Sequence, residues 1–324
     1  MIGFLRQQSW VIGLFVLFIV LLFVTRMIQP GYGARDFASL TQAAMPYAFA
    51  VAAQAIVVLA GGIDLSIAAM MAVTSVTAAV LMRDSSPESA LYAVPLVVAF
   101  GFLLGSLNGL LIVLTRVPDI VVTLAMLYVF QGLALLILNT PGPGASEWLR
   151  AIAVGSLDIP GVPTAITAWL PGPLVFIAAS VAIIWAPLRR SQLGLSIYAI
   201  GSHQLSAFRS GVPIHRTRIL AYGIGGIFAS LGGLSLTMST GIGAPIPGPY
   251  LLASVAAVVL GGVALTGGRG GLVGPIIAVF VLRLVRTDMT LLSIDPNVTT
   301  IVEGIIMVVV VMLGALVAMR SRPS

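Results

Sequence analysis

Apolar positions run along this chain in long, nearly unbroken blocks. They do not show the alternating or every-third-residue rhythm of a soluble fold. Ten blocks lie near 7–25, 43–60, 63–82, 91–115, 120–139, 171–188, 219–239, 251–266, 273–289 and 298–319. About 20 apolar residues in a helix cross ~30 Å of hydrocarbon, and a helix satisfies its own backbone hydrogen bonds there. The pattern predicts an all-α polytopic membrane protein of about ten transmembrane helices, a single domain over 1–324. The first block is flanked by Arg6 and Arg26. It is too long for the apolar core of a secretory leader, and it is read as a retained span.

The breaks between blocks are chemically coherent: Gly61-Gly62, Arg83 to Pro87, Arg116-Val117-Pro118, Arg189-Arg190, and Gly267 to Gly271. Glycine pairs next to apolar runs allow a helix to stop within the membrane, so some spans are expected to be discontinuous. A stretch over about 140–171 carries Pro141, Pro143, Pro160, Pro163 and Pro171 with Trp148 and Trp169. Its prolines argue against a regular span, and its tryptophans suit an interface. Val57 to Gly62 and Val258 to Gly262 look alike. In this map both lie on outside-to-inside spans, so they are not inverted repeats.

Composition agrees. Of 324 residues, 59% are hydrophobic and 8% charged, against ~25% charged in soluble domains. Mean hydropathy is +1.12. The sequence pI of 10.3 does not imply nucleic acid, because the charges are scattered between apolar blocks. They follow the positive-inside rule instead. With the N-terminus inside, Arg6, Arg116, Arg189, Arg190, Arg209, Arg216, Arg218, Arg269, Arg320 and Arg322 fall in the cytoplasm. Arg26, Arg35, Arg83, Arg150, Arg283 and Arg286 fall outside, with most of the acids, Asp158 among them. An even number of spans then places both termini in the cytoplasm and the 140–171 loop in the periplasm.

Three absences narrow the chemistry. There is no cysteine, so no disulfide and no thiolate. All sixteen basic residues are arginine, so no Walker A lysine exists. The two histidines, His203 and His215, cannot form a zinc-binding H-E-x-x-H helix. No catalytic or metal site is expected.

Several polar residues sit in apolar surroundings. Asp64, in Gly61-Gly62-Ile63-Asp64-Leu65-Ser66, has two readings. It lines a polar pathway or braces a discontinuous helix, or it caps the next helix at the cytoplasmic interface. Asn108 lies among small residues and can join helices by hydrogen bonding or touch a solute. Gln54, Ser66, Thr123 and Gln131 raise the same choice. Glu303 suits a proton-coupled carrier or a structural hydrogen bond. Arg283 and Arg286 are expected to snorkel outward or to pair with Asp288.

The loop over about 189–218 is cytoplasmic and holds five arginines. Leu205, Phe208 and Val212 recur at i, i+3 and i+7, giving a short helix an apolar stripe that Pro213 ends. Such a basic amphipathic segment lies on anionic lipid or docks on a cytoplasmic partner.

The chain resembles the ribose-type carbohydrate importer permeases of the ATP-binding-cassette class, which include autoinducer-2 permeases. Five strings carry the resemblance in order over about 40–315: Gly61 to Ser66; Gly105-Ser106-Leu107-Asn108-Gly109; Val122 to Tyr128 with Gln131-Gly132; Ala199 to Val212; and Val255 to Gly262 with Gly267 to Gly270. His203 stands where the family usually has Asn, Ser202 where it has Gly, and Gln131 where it often has Arg. Pro249 to Ser254 lacks the acidic residue common before the last string, which leaves the solute open. The resemblance implies a permease working with a cytoplasmic ATPase subunit that binds the ATP, a periplasmic solute-binding protein and a second permease chain, identical or not. Its own cofactor complement is expected to be empty. The basic segment then becomes the ATPase-coupling element, carried by Ala199, Gly201, Leu205, Ala207, Phe208, Gly211 and Val212. A branched-chain amino-acid permease and an ion-coupled carrier using Glu303 are the competing readings.

Overall fold

The computed structural model describes residues 2–156 and 163–320. Asp158, Pro160 and Arg322 lie outside the described residues. The helices in chain order are α1 (Ile2–Ile28), α2 (Ala34–Leu59), α3 (Ile67–Leu81), α4 (Pro87–Thr115), α5 (Asp119–Ile137), α6 (Glu147–Val154), α7 (Thr164–Thr167), α8 (Gly172–Ser180), α9 (Ala186–Arg190), α10 (Gln192–Ser202), α11 (Gln204–Arg209), α12 (Ile214–Thr240), α13 (Tyr250–Leu260), α14 (Val273–Leu291) and α15 (Pro296–Arg320). A π-helical turn over Val181–Trp185 joins α8 to α9. Two short strands, β1 (Gly142–Pro143) and β2 (Ile242–Gly243), pair antiparallel.

Each apolar block falls on helix, but not each helix is a full crossing. Among the described residues six are long and apolar enough: Trp10–Ile28 of α1, α2, α4, α5, α12, and Gly172–Arg190 taken as one rod. α3 has 15 residues and α13 only 11, so α13 is ~16 Å long, half a bilayer. The expected span over 251–266 is thus a half-helix. It is preceded by an irregular stretch, 241–249, in which β2 pairs with β1 of the 140–171 segment. α14 carries Arg283, Arg286 and Asp288 along its length.

α2, α3 and α12 form the interior, and α4, α13 and α14 pack around them. α12 lies close to α4 because both present small residues. A Cβ added at Gly105 would overlap the Tyr222 carbonyl, and one at Gly226 the Gly101 carbonyl. Backbone-to-backbone approach of this kind holds helices together where lipid supplies no hydrophobic drive. α1 is mostly uncovered and packs on α14: Phe18 meets Phe280 edge-on at 6.0 Å, and Thr25 Oγ1 donates to Asp288 at 2.6 Å.

The likeness of the two Val-Val-Leu strings proves structural. α2 closes with Gly61 N–H on Val58 O (2.8 Å) and Gly62 N–H on Val57 O (3.0 Å). α13 closes with Gly262 N–H on Val259 O (2.9 Å) and Val263 N–H on Val258 O (3.1 Å). Gly61 and Gly262 take φ of +82° and +81°, the left-handed conformation that ends helices at glycine. The equivalent carbonyls, Leu59 O and Leu260 O, each accept an outside donor: Gly268 N–H at 3.0 Å and Trp10 Nε1 at 2.8 Å.

The 140–171 segment has no long helix among its described residues, as expected. Trp148 Nε1 donates to Pro87 O, and the Trp169 ring packs on Phe37. The 189–218 segment is a correction. It is almost wholly helical, through α9, α10, α11 and the first turn of α12.

Candidate functional site

Two adjoining structures hold most of the residues singled out by sequence. The first is the break between α2 and α3. After the glycine closure the chain turns through Ile63 to Ser66 and enters α3. Asp64 is buried, at 3% exposure. Its Oδ1 accepts Ser66 N–H at 2.8 Å and Ser66 Oγ at 2.6 Å. Asn108 of α4 donates from Nδ2 to Ser66 Oγ at 2.7 Å and to Asp64 Oδ2 at 3.3 Å. Thr123 of α5 accepts Leu65 N–H at 3.1 Å. Four predicted residues, Asp64, Ser66, Asn108 and Thr123, therefore form one network. Asp64 receives its hydrogen bonds from the protein itself, two residues before Ser66, which is the N-cap of α3 and makes no side-chain cap bond.

Asp119 completes the network and was overlooked by sequence reasoning. Its Oδ2 accepts Ile63 N–H at 2.6 Å and Tyr222 Oη at 3.3 Å. The signal was present: an acid directly after proline, in the first turn of a helix. Gln54 and Gln131 stand apart. Gln54 is fully buried on α2 with neither amide atom bonded, and Gln131 lies two turns beyond Thr123 on α5, partly exposed.

The second structure is the helix pair α10–α11. α10 starts on Ser191, whose Oγ accepts Gly194 N–H at 3.1 Å. His203 separates the two helices and caps α11 through Nδ1, which accepts Ser206 N–H at 3.3 Å. Here the imidazole does the capping task of a short polar side chain. α11 is shorter than the sequence suggests. It ends at Arg209, and Gly211 (φ +81°) reverses the chain, with Val212 N–H on Ala207 O. Val212 is therefore past the helix, and Pro213 caps α12 instead of ending α11. Ala207 is buried against the body, while Leu205 and Phe208 are 53% and 68% exposed. With Val212, Pro213, Ile214 and His215 they line an open groove of about 720 Å³. A neighbouring polar groove of about 410 Å³ holds Arg116, Asp119, Gln204, His215 and Arg218.

The pair is clasped to the membrane body. Gly201 of α10 lies on the end of α2: an added Cβ would overlap the Leu59 carbonyl oxygen and stand 2.6 Å from Gly268 N. Tyr198 Oη donates to Gly270 O at 2.8 Å, and Ser202 Oγ to Gly268 O at 3.4 Å. Burial raises the Tyr198 phenol above its usual pKa, which keeps it a donor. The 264–271 turn is thus sandwiched between α10 and the end of α2. Ala199 lies on this same helix, partly exposed.

The outer arginines do not pair as expected. Arg286 bridges Glu303 at 3.0 Å, not Asp288, and the Arg283 guanidinium lies over the Tyr47 ring at 4.9 Å. Glu303 is therefore an ion-paired carboxylate. The described residues contain no group of three metal-binding side chains.

The family model described as branched-chain amino acid transport system, permease component, matches residues 37–311. The ribose import permease protein of Escherichia coli (strain K12) is 28% identical over 314 residues, 96% of this chain and 94% of that protein. The ribose import permease protein of Bacillus subtilis (strain 168) is 30% identical over 262 residues, 79% of this chain and 77% of that one. An autoinducer 2 import system permease protein of Photorhabdus temperata is 26% identical over 322 residues, 94% and 91% of the two chains. No solved structure matches the chain.

Proposed function

The chain belongs to the family of branched-chain amino acid transport system permease components, and from that premise we propose that it is the membrane subunit of an importer for a sugar or sugar-like solute. One observation carries this reading: end-to-end similarity to ribose and autoinducer 2 import permeases. The protein is a multi-pass protein of the bacterial inner membrane. In the proposed arrangement both termini are cytoplasmic, the α6–α7 region faces the periplasm, and α10–α11 faces the cytoplasm.

ATP hydrolysis belongs to a separate subunit, since a lysine-free chain has no Walker A residue for the terminal phosphates. That subunit seats in the groove beside Leu205 and Phe208. A periplasmic protein delivers the solute, and a second permease chain, identical or different, completes the pathway. Gln54, Asp64, Ser66, Asn108, Thr123 and Gln131 supply its polar positions. Gln131, partly exposed, is the solute-facing one; the Asp64 network shapes the wall.

The family description leaves amino acids as the second reading. Purifying the intact complex and measuring ATP-driven uptake of labelled ribose against leucine separates the two. Ribose uptake that needs the copurified ATPase and binding protein supports the proposal. Uptake by this chain alone, driven by an ion gradient, rejects it.

The groove has its own test. Leu205→Asp with Phe208→Asp puts two carboxylates on the docking face. Uptake is expected to fall about tenfold, with ATPase activity no longer stimulated by loaded binding protein. Normal coupling at normal expression would move the docking face elsewhere.

A further inference from the structure

In the proposed arrangement α14 is a crossing, and Arg283, its eleventh residue, lies about 15 Å along the helix axis. A guanidinium at that depth is costly unless it faces a partner or a water-filled space. Among the described residues no carboxylate lies within ion-pair distance of it; the neighbouring Arg286 already holds Glu303. Arg283 instead lies 4.9 Å from the centroid of the Tyr47 ring, and that ring stands 4.6 Å from the ring of Tyr250. Tyr250 opens the half-helix α13, so all three side chains meet at the start of the eighth apolar block. Neither phenol hydroxyl is among the sealed polar atoms lacking a partner, nor is either bonded to a described residue. Tyr250 is buried, at 8% exposure, and Tyr47 is half-buried.

We propose that Arg283, Tyr47 and Tyr250 form a polar step, half-way across the membrane, for a hydroxyl-rich solute. The step rests on the importer reading above and adds a place for the cargo. A guanidinium and two phenols present donors without internal acceptors, which suits a ligand dense in hydroxyl oxygens. The paired rings add flat apolar faces for the C–H surface of a sugar. Arg286 and Glu303 neutralise each other one turn outward, so Arg283 carries the uncompensated charge.

The absence of cysteine makes the test direct. Tyr250→Cys and Tyr47→Cys each supply the sole thiol in this chain. The intact complex, in lipid nanodiscs open to both faces, is treated with membrane-impermeant anionic and cationic methanethiosulfonates. Both thiols are expected to react. Adding Arg283→Gln should slow the anionic reagent about tenfold relative to the cationic one, and Arg283→Lys should restore the preference. Thiols inert at both positions in a correctly assembled complex would overturn the step. Reactivity blind to Arg283 would remove its role. Uptake of labelled ribose by the same complexes is read separately. If the unmodified complex carries ribose, Arg283→Gln should lower uptake about tenfold, and unchanged uptake rejects a solute contact. If charge-selective labelling stands but no ribose is carried, the importer reading for that sugar fails while the water-lined step remains.

Discussion

Gly201→Ala is expected to lower ATP-driven uptake by about a hundredfold while the chain still reaches the membrane. The added methyl overlaps the Leu59 carbonyl and stands 2.6 Å from Gly268 N. Both are backbone atoms, so no rotamer change relieves the contact. α10 must move off the end of α2, and Gly268 N–H on Leu59 O, with Tyr198 on Gly270, loses its geometry. The helices themselves remain, since Gly201 lies on the penultimate position of α10 and glycine offers it no special dihedral. The loss therefore falls on transmission between the α10–α11 pair and the spans. ATP hydrolysis measured beside ribose uptake distinguishes this: hydrolysis persisting without uptake is the expected pattern. Uptake within twofold of the parent would show that the clasp is dispensable. Gly211→Ala is the control. Nothing lies near its added methyl, and the cost is only that of a left-handed residue, φ +81°, about 1 kcal/mol.

Asp64→Ala is the second large effect, on assembly. The substitution strands Ser66 N–H and the Ser66 hydroxyl donor in a fully buried site, while Asn108 Nδ2 keeps its bond to Ser66 Oγ. Each buried donor left unpaired costs about 1–3 kcal/mol, so the break between α2 and α3 should lose about 2 kcal/mol or more. The measurable outcome is a strong fall in folded yield and in the melting temperature of the purified complex. Asp64→Asn should be far milder. Asn108 Oδ1 has no partner, so the Asn108 amide can turn over and accept from the new carboxamide. Ser66 N–H keeps an oxygen to bond. If alanine and asparagine prove equally harmful, the negative charge itself is required, and the bracing account of Asp64 is wrong.

The helical blocks were legible because hydrocarbon imposes one simple requirement on twenty consecutive residues. What sequence obscured has specific physical causes. α2 begins at Ala34, nine residues before its apolar block, because Arg35, Asp36 and Gln42 sit on a helix that extends beyond the apolar block. α13 stops at Leu260 although the apolar run continues, because a glycine in the left-handed conformation ends a helix whatever the hydropathy of its neighbours. α11 stops before Val212 for the same reason. The network around Asp64 was half visible, since its members were individually conspicuous, yet Asp119 looked like an ordinary loop acid. The clasp was invisible. Leu59, Gly201 and Gly268 are separated by more than sixty residues at each step, and nothing in the composition of a glycine tells which backbone it will meet. Arg283 was expected to reach outward, because a linear reading had no means of placing Tyr47 beside it.

The fastening of α1 bears on how the chain is built. Its anchors, Trp10 on Leu260 O, Phe18 on Phe280 and Thr25 on Asp288, all lie more than 240 residues downstream. Synthesis runs from the N-terminus, so α1 enters the bilayer before α13 and α14 and must wait, surrounded by lipid, until they emerge. Its low coverage suits that interval: a helix whose surface is mostly apolar and lipid-compatible needs no early companion. A segment inserted early is thus secured late, and a ribosome stalled before Leu260 leaves α1 threaded but unmoored.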